Sequence, residues 1–110
     1  PDRTWVVTGS SGSNRIRSAV LQVLINLVDF GLALDQAVAA PRVHYEGGLL
    51  NLEPPVDSGT LGQLGEHWPR IQRWNAESVF FGGAHSVLRS GDGGLLGAGD
   101  QRRGGVVLRT

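Results

Sequence analysis

Cysteine is missing from all 110 positions, so the chain can form no disulfide and offers no thiolate to a metal. That absence leaves the compartment open. Net charge is missing as well: ten basic and ten acidic side chains cancel, which removes the electrostatic footprint expected of a partner for nucleic acid or an anionic membrane. The basic residues are arginines spread along the chain, and the adjacent pair Arg102 and Arg103 sits beside Asp100, a spacing that predicts local ion pairing. Histidine is scarce, and His44, His67 and His85 stand far apart with no ligand-like spacing, so neither a metal nor another cofactor is predicted. No apolar run reaches the roughly 18–20 residues that a membrane-spanning helix requires, because Arg17, Gln22, Asn26 and Asp29 interrupt the longest candidate. Internal repeats, low-complexity tracts and long linkers are also lacking, and residues 1–110 read as one unit.

What is present is an ordinary globular share of apolar residues, 40%, arranged in periodic segments. Trp5 to Thr8 is rich in strand-forming residues and stops at Gly9. The small-residue loop GSSGSN follows at 9–14 and leads into the firmest helix, which starts near Arg15 and ends at Gly31. Ile16, Ala19, Val20, Val23, Leu24, Leu27 and Val28 recur there at three- and four-residue spacing. Leu21, Ile25 and Phe30 widen that apolar surface and leave a narrow polar stripe of Ser18, Gln22, Asn26 and Asp29, the pattern of a helix buried on most sides. A shorter helix is expected with Asp35 as its N-cap, running to Ala40 before Pro41. Gly47-Gly48 predicts a turn, 49–53 a strand, and the stretch from Ser58 through Leu61, Leu64 and Trp68 a helix weakened by three glycines at about 1 kcal/mol each. Strands are expected at 71–74, over 78–88 with Gly82-Gly83 as a bulge or close approach, at 95–98 after the Gly91–Gly94 turn, and as an edge at 106–108. This order of elements predicts an α+β fold with helices packed on a mostly antiparallel sheet.

Chemistry concentrates at the loop. Small side chains at 9–14 leave backbone N–H groups open at a helix N-terminus, a setting that welcomes a carboxylate or an oxyanion. No Lys-Ser/Thr follows the glycines as in a nucleotide-binding P-loop, and the dinucleotide spacing is absent. The same residues also suit plain capping, with Ser13 or Asn14 accepting from the first turn.

GSSGSNRI at 9–16, continued by RSAVLQVLINLVDFGLALDQAVAAPRVHYE to residue 46, is similar to the segment of gamma-glutamyltranspeptidases that carries and follows their paired-glycine oxyanion loop. FFGGAHSV at 80–87 and GAGDQRRGG at 97–105 resemble that family's closing hairpin and C-terminal segment. The resemblance implies a C-terminal fragment of the small subunit of an N-terminal-nucleophile hydrolase, whose fold is an αββα sandwich. It further implies a self-cleaving precursor in which an N-terminal threonine, with its own α-amino group as base, attacks the carbonyl of glutathione-like γ-glutamyl amides. The acyl group then passes to water or an amino acid, and two adjacent backbone N–H groups hold the oxyanion. By position, Gly12 with Ser11 or Ser13 takes the place of the glycine pair.

Departures accompany the match. Ser-Gly-Ser stands where the family has Gly-Gly, so one donor carries a Cβ and needs dihedral angles that allow it. The family's nucleophilic threonine, the carboxylate that holds the substrate's amino group and its paired serines have no counterpart here. Pro1 has no hydroxyl, and Thr4 and Thr8 lack a free α-amino group. The isolated chain is therefore expected to be inactive, with upstream large- and small-subunit segments as its partners, a small γ-glutamyl molecule as substrate, and an apolar patch exposed where those segments pack. Family members are commonly periplasmic or extracellular. A related acylase or amidase, and a stand-alone binding or assembly module in which the loop only caps a helix, are the alternatives. Arg42 and His44 in APRVH match the family pattern and equally suit a helix end, and Asp100 with Arg102 and Arg103 reads as a turn held by charge-assisted hydrogen bonds.

Overall fold

In the computed structural model, which describes residues 3–10 and 15–108, two small sheets are tied together by the helices between them. Strand β1 (Trp5–Gly9) pairs antiparallel with β5 (His85–Arg89), and β5 with β6 (Leu95–Ala98), giving the order β1-β5-β6. The second sheet has the order β2-β3-β4: β2 (Val43–Glu46) runs antiparallel to β3 (Leu49–Leu52), and β4 (Ile71–Arg73) joins β3 in parallel. Three of the four pairings are thus antiparallel, and the class is α+β as expected. Helix α1 (Ile16–Val28) and helix α2 (Leu34–Ala39) pack on the inner face of the first sheet. Between them lies the core of Val23, Leu34, Val38, Ala84 and Ala98, flanked by Leu27 and Leu88.

The polar stripe of α1 does not face solvent. The Gln22 side chain grips the backbone of Val43 from both ends, its Nε2 donating to the carbonyl at 2.8 Å and its Oε1 accepting the N–H at 2.8 Å. One turn on, Asn26 donates to the Ala37 carbonyl at 3.1 Å; one turn back, Ser18 bonds His44 at 2.7 Å. Residues four apart share a helical face, so the stripe is the seam that docks α1 on α2 and β2. Much of the apolar surface points outward instead: Leu21, Leu24 and Val28 are exposed, and only Ala19 and Val23 are buried. The expectation of a helix buried on most sides is not met within this chain.

Three boundaries also differ from the sequence reading. Helix α2 starts two residues early, with Ala33 as N-cap and Gln36 reaching back to accept its N–H, while Asp35 sits inside the first turn where a carboxylate favours the helix dipole. The span 78–88 is not one strand. Val79–Phe81 forms a 3-10 turn, started by Ser78 accepting from the Phe80 N–H at 3.1 Å, and strand pairing begins only at His85. Aromatic packing fixes that turn, with Trp74 stacked on Phe80 at 4.7 Å and edge-on to Phe81 at 5.5 Å. Residues 106–108 make no edge strand; the chain crosses β6 with Val107 lying on Gly97, where an added Cβ would sit 2.9 Å from the valine. Helix α3 (Ser58–His67) forms despite its glycines, helped by Asp57, whose carboxylate accepts from the Thr60 N–H at 2.7 Å and its hydroxyl at 3.0 Å. No helix among the described residues is long and apolar enough to cross a membrane.

Candidate functional site

The site grows from the junction of β1 and α1. Ser11, Gly12 and Ser13, the residues expected to shape an oxyanion loop, lie outside the described residues, as does Asn14. Both flanks of that loop are defined. On the strand side, Ser10 accepts a hydrogen bond from the Gly83 N–H at 3.1 Å. On the helix side, Arg15 is the N-cap residue of α1. Its Nε donates to the Phe80 carbonyl at 2.6 Å, and its guanidinium stacks 4.2 Å from the Phe80 ring centre. Among the described residues no side chain caps α1 and its first turn carries no acidic residue, so none of them neutralises the positive end of the helix dipole.

Segment 80–84 is therefore the bench on which Ser10 and Arg15 rest, and its glycines make the approach possible. Gly82 has φ +90°, a conformation that favours glycine, and a Cβ there would stand 2.7 Å from the Ser10 hydroxyl and 2.9 Å from the Ala19 methyl. At Gly83 a Cβ would overlap the stem of Arg103 at 2.1 Å. Close approach, one of the two expectations for this pair, is what the structure shows.

Beneath the bench lies a four-residue ionic cluster. Arg42 bonds Asp100 at 2.8 Å, Arg102 bonds Asp100 at 3.1 Å, and Arg102 makes a bidentate pair with Glu53; all four side chains are buried. Two cations and two anions cancel, which is the condition for keeping charge in a core. The cluster also holds backbone. Arg42 donates to the carbonyls of Phe81 and Val38, Arg102 to those of Val38 and Ala40, and Asp100 accepts the N–H groups of Ala84 at 2.8 Å and Arg102 at 2.9 Å. Burial opposes the charged form of Asp100, but those N–H groups and the two guanidiniums outweigh it and hold the carboxyl below its ordinary range. Arg42 is the weaker member: burial and the neighbouring Arg102 lower its pKa against the pull of Asp100 and Glu53, and its Nε is buried without a partner. Burial likewise works against Arg102, yet Glu53 and then Asp100 more than compensate and raise it.

The sequence reading of Asp100 with Arg102 as a charge-held turn is correct and too local. The turn reaches 49 residues back to Glu53, a carboxylate that no motif marks. Arg103 leaves the cluster and lies along Gly83. His44 is buried between Ser18 and Glu46, with its ring edge-on to Phe80 at 6.2 Å. Of the other two histidines, His85 accepts the Asp100 N–H at 3.1 Å and His67 packs edge-on to Trp68. Among the described residues no group of His, Asp or Glu side chains could hold a metal.

Comparison with known proteins agrees with this architecture. The family model for gamma-glutamyltranspeptidase matches residues 1–110. The glutathione hydrolase proenzyme of Escherichia coli (strain K12) is 35% identical over 102 residues, covering 91% of this chain and 17% of that protein. The acylase ACY 1 proenzyme of Pseudomonas sp. (strain SE83) is 34% identical over 100 residues, with the same coverage of 91% and 17%. Among solved structures, the gamma-glutamyltranspeptidase from Pseudomonas nitroreducens complexed with L-DON superposes with a TM-score of 0.81 at 27% identity, over 96% of this chain and 55% of that one. The chain thus spans about a sixth of the length of those curated relatives.

Proposed function

Because the chain belongs to the gamma-glutamyltranspeptidase family and has its N-terminal-nucleophile hydrolase fold, we propose that it supplies the oxyanion loop of a γ-glutamyl transferase or hydrolase acting on glutathione-like amides. The observation that carries this reading is the frame of the loop. Ser10 and Arg15 hold its two flanks to the segment 80–83, and it immediately precedes α1, whose N-cap residue Arg15 makes no side-chain cap. On this reading the N–H of Gly12 and that of Ser11 or Ser13 are the donors to the oxygen of a tetrahedral intermediate. Each such donor stabilises the transition state by about 3–4 kcal/mol.

The nucleophile comes from elsewhere in the parent protein. Thr8 is committed to strand β1, with its hydroxyl bonded to that of Ser86 at 2.7 Å, and neither it nor Thr4 has a free α-amino group to act as base. The 110-residue chain alone does not cleave γ-glutamyl amides on this reading. Its outer sheet face gives the rest of the protein a place to pack. Trp5 and Val7 on β1, Val87 on β5 and Leu95 on β6 turn away from the helices and are 59%, 71%, 48% and 53% exposed. Arg89 lies between Trp5 and Leu95 on this face, and the exposed apolar side chains beside it suit a surface that another layer covers.

The experiment is hydrolysis of a γ-glutamyl anilide by this chain and by the complete product of its reading frame after self-cleavage. Activity in the complete product alone is expected, with Gly12→Pro, which removes one donor, lowering kcat about 10²–10³-fold. Activity in the isolated chain would refute the assignment of the nucleophile. The near-equal identity to an acylase proenzyme keeps a second substrate class in view, and a complete product that cleaves other acyl amides but not γ-glutamyl ones would select it.

A further inference from the structure

Outside the loop, one set of side chains has the geometry of a nucleophile relay. Ser18 on α1, His44 on β2 and Glu46 two residues on are joined in a line, Ser18 Oγ to His44 Nδ1 at 2.7 Å and His44 Nε2 to Glu46 Oε1 at 2.8 Å. A carboxylate accepts, so Nε2 carries a proton, and in the tautomer protonated there alone Nδ1 keeps its lone pair. The Ser18 hydroxyl must then donate to Nδ1, which is the arrangement that activates a serine: a base on its proton and an acid group orienting that base.

The surroundings suit a reaction. His44 is 7% exposed and cannot turn away from its two partners, whereas Ser18 is half-buried. Ser18 opens with Arg17, His44, Tyr45 and Glu46 on a shallow depression of about 400 Å³. Arg17 is exposed and places a permanent cation at the rim, the group needed beside a developing oxyanion. The Gln22 clasp already fastens α1 to β2, and the Ser18–His44 bond of the same seam needs no carboxylate behind the imidazole.

The geometry points to Ser18 as a second, acylatable nucleophile that takes short acyl esters, with His44 as its base, Glu46 orienting the ring and Arg17 facing the oxyanion. As Oγ bonds the ester carbonyl, its proton passes to Nδ1. The carbon–oxygen bond to the alcohol then breaks, and the departing alkoxide takes that proton. Water repeats the sequence and releases the acid.

The test uses the 110-residue chain with a fluorophosphonate probe, in which Oγ forms the phosphorus–oxygen bond and fluoride leaves, followed by peptide mapping. A phosphonyl adduct at Ser18 is expected, with hydrolysis of p-nitrophenyl acetate lost in Ser18→Ala. His44→Asn should slow labelling about 100-fold. Glu46→Gln changes a half-exposed group nearly isosterically, and should slow labelling by about tenfold or more. An unlabelled Ser18 in a chain with native circular dichroism would overturn the proposal. So would labelling at equal rates in the parent chain and folded Glu46→Gln.

Discussion

Replacing Asp100 by asparagine tests the ionic cluster with almost no change of shape. The carboxylate accepts four hydrogen bonds, from Arg42 and the Ala84 N–H on one oxygen and from the Arg102 side chain and N–H on the other. An amide keeps one acceptor and points an NH2 at the other pair of donors. It also leaves two guanidiniums facing a single anion, Glu53. Breaking a buried pair from one side costs about 3–5 kcal/mol, a large part of the about 5–15 kcal/mol that holds a small domain together. With a urea slope of about 2 kcal/mol/M, the midpoint falls by about 1.5–2.5 M, read from the fluorescence of the three tryptophans. The pH dependence follows from the lowered folded pKa. The unfolded chain takes up its proton first, near the ordinary value of about 4, so the stabilisation from Asp100 is complete above that pH and is lost as pH falls toward the depressed folded value. The amide in Asp100→Asn has no such proton to bind, so the acid limb of the stability curve should flatten. The exposed Asp92→Asn, as a control, should leave the urea midpoint where it is. A loss of under about 1 kcal/mol in Asp100→Asn, with the acid limb unchanged, would refute the cluster as a source of stability.

Three further outcomes are expected. Gly82→Ala forces a Cβ into the Ser10 hydroxyl and the Ala19 methyl at a positive φ, and should cost about 1–3 kcal/mol in a thermal melt while displacing the loop that Ser10 anchors. Gln22→Ala removes both bonds to the Val43 backbone, a loss of about 1–3 kcal/mol that faster hydrogen exchange at the Val43 amide would report. Trp5→Ser with Val7→Ser should reduce binding of a hydrophobic dye to the isolated chain with little loss of stability, because both side chains are already exposed.

The sequence reveals the elements whose signal is local. The three- and four-residue spacing from Ile16 to Val28, the Gly47-Gly48 turn and the Gly91–Gly94 turn each specify their conformation within a few residues. It fails where distant partners decide. The run 78–88 has strand composition, but Trp74 and Arg15 capture Phe80 and divert the chain into a turn. At 106–108 three β-branched or apolar residues read as a strand, yet Gly97 leaves a hollow into which Val107 packs against the face of β6. The proposal of Gly12, Ser11 and Ser13 as oxyanion residues rests on resemblance, and the flanks of their loop are half legible: the glycine pair at 82–83 suggests close approach, and nothing local pairs it with Ser10. Glu53 carries no signal at all. A single carboxylate before two prolines gives no hint that Arg102 waits 49 residues away.

The Gln22 clasp has a consequence beyond holding a helix in place. Strand β2 is the margin of its sheet, paired with β3 on one side, and a margin of free N–H and C=O groups is a template on which a foreign strand can add and begin a fibril. Gln22 occupies both groups of Val43 with an amide of its own, as a neighbouring strand would. The helix thereby ends the sheet at that position, and a chain with as many apolar residues on its surface as this one gains a safeguard against stacking on copies of itself.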